Sequence, residues 1–406
     1  MVGAAVAGVA AAIGLREAGF GGEIVLVGEE VHEPYDRPPL SKQLLRGTSD
    51  PTDLRLPGVP RLREQEIELR LGVRALGLDI EGRRLELDGG EPLGFDGLIV
   101  ATGSVPRRLP GQPDDLPGLH MLRTIDDAVA LREEIGHASR VGVIGAGFIG
   151  LEVASEARTL GAEVTVVDLA PHPLARVFGP EVGARVRRLH VGHGVEFRCG
   201  VAVEGIRARK GRVVGIELAD EVVDVDLVVV GIGTVPAVDW LEGSGLELDD
   251  GVVCDAELRA AQGVYAAGDV ARWQHPLFGS IRVEHWTTAG EHARVAAHNL
   301  ALDLGAEGEP RRAEAIPYFW SDQHGVKLQL AGWIGGSDAI AELEGEEVRS
   351  ATLFGREGRL VGALALDWPA FVARQRRVIA AGTRWEEAVE AATDEAVQIG
   401  ITKSST

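Results

Sequence analysis

The run Val141-Gly-Val-Ile-Gly145-Ala-Gly147-Phe-Ile-Gly150-Leu-Glu152 constrains this chain more than any other stretch. An apolar strand enters it, three glycines turn it, and a helix leaves it. Gly145 permits the tight turn, Gly147 leaves room for a pyrophosphate, and Gly150 lets the helix pack close on the strand. The free amides at the helix start would hold phosphates. Such a pattern also serves packing alone in many α/β folds, so its context decides. Here Leu151 to Leu160 reads as a helix and Glu163 to Val167 as a second strand ending in Asp168. That acid lies 18 residues past Gly150, near the spacing of about 20 expected of a ribose-binding carboxylate. A dinucleotide site is expected here.

The N-terminus carries an altered copy of the same signal. Gly3-Ala-Ala5-Val-Ala-Gly8 leads into an Ala-rich helix to about Ala18, and a strand from Glu23 to Val27 ends near Glu29 and Glu30. Those acids stand about 20 residues beyond Gly8, as a ribose contact requires. Two departures stand out. Ala5 replaces the second glycine and adds a methyl group where a pyrophosphate approaches, and only Met1 and Val2 remain of the first strand. So short a central strand is expected to lose ladder hydrogen bonds and buried area. A start assigned several residues late would account for it.

At 406 residues the chain suggests two or three domains. Apolar runs such as Val222 to Ile232 are broken by Asp224 and Asp226, so none reaches the ~20 residues of a membrane helix. No Lys or Arg precedes the apolar run Met1 to Leu15, which argues against a signal peptide and for a cytoplasmic protein. The net charge of -21 argues against binding nucleic acid, because polyanion contacts need a basic face. Cys199 and Cys254 lie far apart and read as two buried thiols. His190 and His193 have H-x-x-H spacing without a recognisable third ligand, so a solvated or structural role is expected and no metal site.

Between the two glycine turns, Glu33-Pro-Tyr-Asp-Arg37-Pro-Pro-Leu-Ser41-Lys42 enters extended and then begins a helix; two cations at such an opening can be structural, though Arg37 and Lys42 also suit a pyrophosphate and a flavin. Weak strands fill Arg70 to Leu87, and Gly97 to Val100 leads into Ala101-Thr102-Gly103. A proline-punctuated crossing and a helix from Asp126 to Ile135 follow. Beyond Asp168 come a helix from Glu181 to His193, alternating strands from Val195 to Leu218, and a buried strand from Val225 to Val230. The segment Gly231-Ile-Gly233-Thr-Val-Pro236 crosses back toward the first domain. Gly263-Val-Tyr-Ala-Ala-Gly268-Asp269 ends in an acid at a helix start, where an Asp can also simply cap. Arg282-Val-Glu-His285-Trp286 opens a helix to about Leu300, and from Arg311 the chain changes to strands and two last helices.

Two glycine turns, an Ala-Thr-Gly between them and a late Tyr-Ala-Ala-Gly-Asp together make a chain that resembles the two-dinucleotide flavoprotein reductases over essentially its whole length. Pro34 to Lys42, Gly145 to Glu152 and Pro317-Tyr-Phe-Trp-Ser-Asp322 are similar to the NADH-dependent ferredoxin reductases that serve Rieske oxygenases and haem-thiolate monooxygenases. Apoptosis-inducing factor is a structural cousin. The resemblance implies an α/β fold with two Rossmann-like dinucleotide-binding domains of the glutathione-reductase kind and a C-terminal α+β domain. Residues 1–110 and 237–314 would bind FAD, 111–236 would bind NADH, and 315–406 would form the third domain.

By the same resemblance, the FAD pyrophosphate would lie over Gly3, Ala5 and Gly8, with its adenosine ribose on Glu29. Arg37 and Lys42 would contact the flavin nucleotide, Asp269 the ribityl chain, and Ala101, Thr102, Gly103, Gly233, Gly268 and His285 would complete the cofactor-binding set. NADH would lie over Gly145, Gly147 and Gly150, with Asp168 repelling the 2'-phosphate of NADPH. Lys42 and Glu152, the catalytic residues, would form a charge pair across two domains, and Trp286 and Trp320 would border the flavin ring. Hydride would pass from the nicotinamide to the flavin and electrons would leave singly. Disulfide reductases of this superfamily carry a cysteine in a segment placed like Pro38 to Leu45. None stands there, which favours a one-electron acceptor such as a two-iron two-sulfur ferredoxin. Arg311, Arg312, Arg374, Arg376 and Arg377 could dock it, the last three exposed on a helix whose apolar face is Phe371, Val372, Val378 and Ile379. A rubredoxin reductase, an NADH oxidase, a nucleotide-sensing interaction protein and a flavin-free relative are the competing readings.

Overall fold

In the computed structural model, which describes residues 1–345, 349–398 and 402–403, the apolar run after Arg140 forms the central strand of a five-stranded sheet. The order is Val195–Cys199, Glu163–Asp168, Arg140–Ile144, Leu227–Val230 and Leu119–His120, every pair parallel. Parallel strands need cover on both faces, which is why these read as continuous Val and Ile rather than as alternation. The helix Phe148–Thr159 packs on the strands Arg140–Ile144 and Glu163–Asp168. An antiparallel sheet of Val203–Arg209, Arg212–Leu218 and Val222–Asp224 contributes Val213, Ile216 and Leu218 to a core with Ile144, Val167, Val228 and Val230. Gly142 makes room for this cover, since a Cβ there would stand 2.6 Å from the Ile216 side chain.

The chain divides into two compact units. The first comprises Met1–Asp36, Leu54–Val105 and Val235–Pro317. Its sheet pairs Val25–Gly28 with Glu68–Leu71, and Leu98–Val100 with Val264–Ala266, all parallel. Val2 stitches the two pairs together by bridging Val27 on one side and Val100 on the other. Short as it is, this strand is bonded on both edges: Val2 N donates to Ile99 O at 3.1 Å, Ala101 N to Val2 O at 2.7 Å, and Val27 N to Met1 O at 2.9 Å. The Met1 amino group donates to Val25 O at 2.7 Å, and burial pushes its pKa down to about 5. Helix Val6–Glu17 lies along helix Trp286–Asp303. Both present alanines: Ala11, Ala12, Ala293, Ala296 and Ala297 are all fully buried, so the backbones approach closely.

The second unit holds Arg37–Asp53, Pro106–Thr234 and the chain from Tyr318 onward. The last part is a six-stranded antiparallel sheet in the order Tyr318–Gln323, Val326–Gly332, Arg359–Leu366, Ser350–Arg356, Ala339–Glu344, Thr402–Lys403. Helix Pro369–Ala380 covers it with Phe371, Val372 and Ile379. Its strand Tyr318–Gln323 rests on helix Phe148–Thr159, where the rings of Phe319 and Phe148 stand 4.3 Å apart. That contact brings the C-terminal sheet against the helix that follows the central glycine turn. Among the described residues no helix is long and apolar enough to cross a membrane.

Candidate active site and nucleotide-binding turns

The two glycine turns are built alike. Gly145 has φ +106°, and a Cβ on it would stand 2.3 Å from Gly231 O; a Cβ on Gly150 would stand 2.1 Å from Gly145 O. In the first unit Gly3 has φ +109°, with Ala101 O at 2.1 Å from the corresponding point, and Gly8 would meet Gly3 O at 1.9 Å. No other residue type fits these four positions without displacing backbone. Gly147 differs, for a Cβ there would meet nothing nearer than Gly231 O at 3.8 Å. The space beside it is open. Neither following helix has a side-chain cap, so both helix starts present amides of the kind that hold phosphate. The residues present therefore fit a pyrophosphate at each turn.

Asp168 closes the second turn from the strand end. Its carboxylate accepts from Ala146 N and from Ala170 N, both at 2.6 Å. This fixes an acid beside the glycines, as a ribose contact needs. In the first unit the register differs. Gly3 N bonds Val27 O as Gly145 N bonds Val167 O, so Gly28 occupies the place of Asp168 and Glu29 comes one residue later. Glu29 is exposed, 3.7 Å from Arg74, while Glu30 takes the Tyr35 hydroxyl. Around the first turn the structure gathers Ala101, Thr102, Gly103, Gly268 and Asp269. Thr102 Oγ1 donates to Ala237 O at 2.9 Å, Ser104 Oγ to Asp269 Oδ2 at 3.1 Å, and a Cβ on Gly268 would lie 3.3 Å from the Ala7 methyl in the first helix turn. The helix start expected at Asp269 is a 3-10 turn, Gly268–Val270, and the long helix begins at Trp286 after His285. Burial pushes the His285 ring down to about 4. Gly231 and Gly233 stand to the second turn as Ala101 and Gly103 stand to the first, Gly233 at φ +102° and Gly103 at φ +72°.

The pair expected of Lys42 and Glu152 forms, with Nζ 2.7 Å from Oε2. It does not span the two units: both residues belong to the second, because the segment that follows Arg37 packs on the helices Ile125–Ile135 and Phe148–Thr159. That segment is a 3-10 turn, Pro38–Ser41, then a single helical turn, Gln43–Arg46. Arg37 is held there too, donating to Arg123 O. The Lys42 side chain is 10% exposed and that of Glu152 2%, so removing either partner alone would cost about 3–5 kcal/mol. Two hydroxyls complete the carboxylate, Ser41 on Oε2 and Ser321 on Oε1 at 2.6 Å. One helical turn on, Arg46 grips Glu156 through two bonds of 2.7 Å. Two buried acids four apart on one helix thus meet two cations four apart on the other segment. Ser41, Arg46, Glu156 and Ser321 were not foreseen, although the matched spacing is visible in the sequence.

Elsewhere the expectations meet the structure unevenly. Trp286 is 42% exposed, and its indole donates to Asp36 Oδ1 at 2.6 Å. Trp320 is half-buried in the second unit, stacked on Tyr318 at 6.1 Å. Arg374 and Arg377 are exposed, Arg374 paired with Glu395; Arg376 is half-buried with its guanidinium 6.0 Å over Tyr318, because the helix face it shares packs on the sheet. Arg311 and Arg312 are exposed and belong to the first unit. Of the thiols, Cys254 is buried and pushed up to about 12 by that burial, while Cys199 is half-buried and also raised. His190 is fully buried and meets a third histidine, His324, but its two nitrogens face Gln323 and His324. Among the described residues no group of three or more His, Cys, Asp or Glu stands so as to hold a metal ion.

The pyridine nucleotide-disulphide oxidoreductase family matches residues 1–293, and the reductase C-terminal family matches residues 318–400. The chain belongs to the pyridine nucleotide-disulphide oxidoreductase family. Its cofactors are FAD and NADH. It is similar to the ferredoxin–NAD(+) reductase component of the anthranilate 1,2-dioxygenase system of Burkholderia cepacia, with 39% identity over 94% of each chain. It is also similar to a rubredoxin–NAD(+) reductase of Pseudomonas putida, with 34% identity over 91% of this chain and 95% of the relative. The crystal structure of a ferredoxin reductase from Rhodopseudomonas palustris superposes with a TM-score of 0.88 at 35% identity, over 94% of each chain.

Proposed function

We propose that this chain is a cytoplasmic NADH:ferredoxin reductase that takes electrons from NADH onto FAD and passes them to a two-iron two-sulfur ferredoxin serving an oxygenase. The chemistry that FAD would supply when bound is hydride acceptance from NADH and release of electrons one at a time. The chain's own residues bind and orient. Gly3, Ala5, Gly8, Gly268 and Asp269 hold FAD in the first unit, and Gly145, Gly147, Gly150 and Asp168 hold NADH in the second. Asp168 puts a carboxylate where NADPH would carry a phosphate. Lys42 would supply positive charge to stabilise a reduced flavin, and Glu152 orients the lysine. The observation that carries this reading is the Lys42–Glu152 pair, 2.7 Å apart and buried, in the place where a disulfide reductase of the family would need a thiol. With no cysteine between Pro38 and Leu45, electrons have no local dithiol to enter.

Docking of an acidic ferredoxin on a protein of net charge -21 needs a local basic surface. Arg374 and Arg377, exposed on helix Pro369–Ala380, supply it. Replacing both by Glu is expected to cut kcat/KM for ferredoxin roughly tenfold or more at low salt, with a smaller loss at high salt. Ferricyanide reduction should stay unchanged. Equal loss with both acceptors would refute the docking role. The 34% identity to a rubredoxin reductase supports a second acceptor class, and faster turnover with rubredoxin than with any two-iron two-sulfur ferredoxin would decide for it.

A further inference from the structure

Behind the Glu152 carboxylate a line of polar side chains runs through the second unit. Ser321 Oγ donates to Glu152 Oε1 at 2.6 Å, and Gln323 Nε2 donates to Ser321 Oγ at 3.0 Å. His190 Nε2 meets Gln323 Oε1 at 2.9 Å, and His324 Nε2 meets His190 Nδ1 at 3.0 Å. Ser321, Gln323 and His190 are at most 2% exposed, so each depends on the next for its hydrogen bond. His324 is half-buried and stacks at 4.1 Å on the exposed His193, which brings the line to the surface.

The directions along this line are all set from one end. A carboxylate only accepts, so it takes the single proton of the Ser321 hydroxyl, and the serine oxygen must then accept from the Gln323 amide. That leaves the amide oxygen to accept from His190, whose proton must sit on Nε2. Burial keeps both rings neutral, pushing His190 down to about 4 and His324 to about 3. A neutral His190 bonded through Nε2–H offers Nδ1 as an acceptor, so His324 donates to it. All four donors point toward Glu152, and aligned bonds of this kind strengthen one another. An amide neither takes nor loses a proton near neutral pH, so Gln323 transmits orientation and not protons.

We propose that Ser321, Gln323 and His190 are positioning residues whose one-way donor line holds Glu152 turned onto Lys42 in the geometry that the reduction of FAD by NADH requires. This rests on the roles assigned above to Lys42 and Glu152. The test is made on the full chain with FAD bound, using nitrogen-15 labelled histidine for side-chain NMR and stopped-flow reduction by NADH. His190 is expected as the Nε2–H tautomer. Ser321→Ala removes one atom and frees the Gln323 amide to flip, so the His190 signals should move toward a mixture of tautomers. Flavin reduction should slow roughly tenfold while KM for NADH changes less than about twofold. Gln323→Met, close in volume, should do the same and guards against a packing effect peculiar to one site. An Nδ1–H tautomer in the unmodified protein would overturn the proposal, as would either variant leaving the ring signals or the reduction rate unmoved. Lys42→Met is measured alongside. If it reduces at the normal rate, the role of the ion pair fails; if it is slow and the other two variants are not, the donor line alone fails.

Discussion

The glycine turn at Gly3 and the one at Gly145 are one piece of backbone used twice. Their first glycines differ by three degrees in φ, +109° against +106°, and in each a Cβ would strike the carbonyl of the strand that follows, Ala101 O or Gly231 O. Where the turns differ, they differ at positions away from those close carbonyls. Ala5 stands for Gly147, and the acid at the strand end moves from Asp168, locked by two amides, to the exposed Glu29. Backbone contacts therefore hold the turn glycines and two amides hold Asp168, while a Cβ at Gly147 would meet nothing nearer than 3.8 Å. A backbone carbonyl about 2 Å from a would-be Cβ cannot be moved cheaply, whereas an open space tolerates a methyl group.

The largest effect should come from the shared backbone. Gly145→Ala and Gly3→Ala are each expected to lose roughly 3–5 kcal/mol of stability, read by thermal denaturation. Losses that differ strongly would break the equivalence of the two turns. A smaller effect separates the two acids. Asp168→Asn should narrow the preference for NADH over NADPH by about 1–3 kcal/mol in kcat/KM, because the removed charge opposes a phosphate. Glu29→Gln should leave that ratio unchanged and weaken FAD binding by less than about 1 kcal/mol, since an exposed group has water to replace its contacts. An equal response would mean that the one-residue shift between the turns has no consequence. The smallest effect is expected of Ala5→Gly. Ala5 is the N-cap of its helix, where glycine is the better residue, so stability should not fall and the flavin-to-protein absorbance ratio should rise only slightly. A large rise would show that the alanine methyl obstructs the pyrophosphate after all.

Much of this arrangement was legible before the fold was in view. The strand–turn–helix around Gly145 was readable because every one of its constraints is local: a positive φ, a close carbonyl, a periodic apolar helix. The helix expected from Leu151 to Leu160 is found at Phe148–Thr159, and the strand expected from Glu163 to Val167 runs to Asp168. The strand Ala339–Glu344 was not foreseen, for its alternation is short and interrupted by acids. The stretch Glu33 to Lys42 is expected to enter extended and lead into a helix; it leads into a 3-10 turn and a single helical turn whose Arg46 is held by Glu156, 110 residues away, which no local pattern announces.

Residue identities and spacings alone established the two glycine turns and the lack of a thiol beside Lys42, whereas the pairing of Lys42 with Glu152 is implied only by the resemblance to the ferredoxin reductases. The first two follow from steric rules within a few residues or from which chemical groups exist at all. Tertiary structure alone decided that Val2 closes the first sheet with two residues, that Gly28 takes the register of Asp168, and that Ser321, Gln323 and His190 line up behind Glu152. Each of these depends on groups far apart in the chain that are brought to about 3 Å by packing. A hydrogen bond of that length is decided by where two backbones come to rest, and no local pattern carries that information.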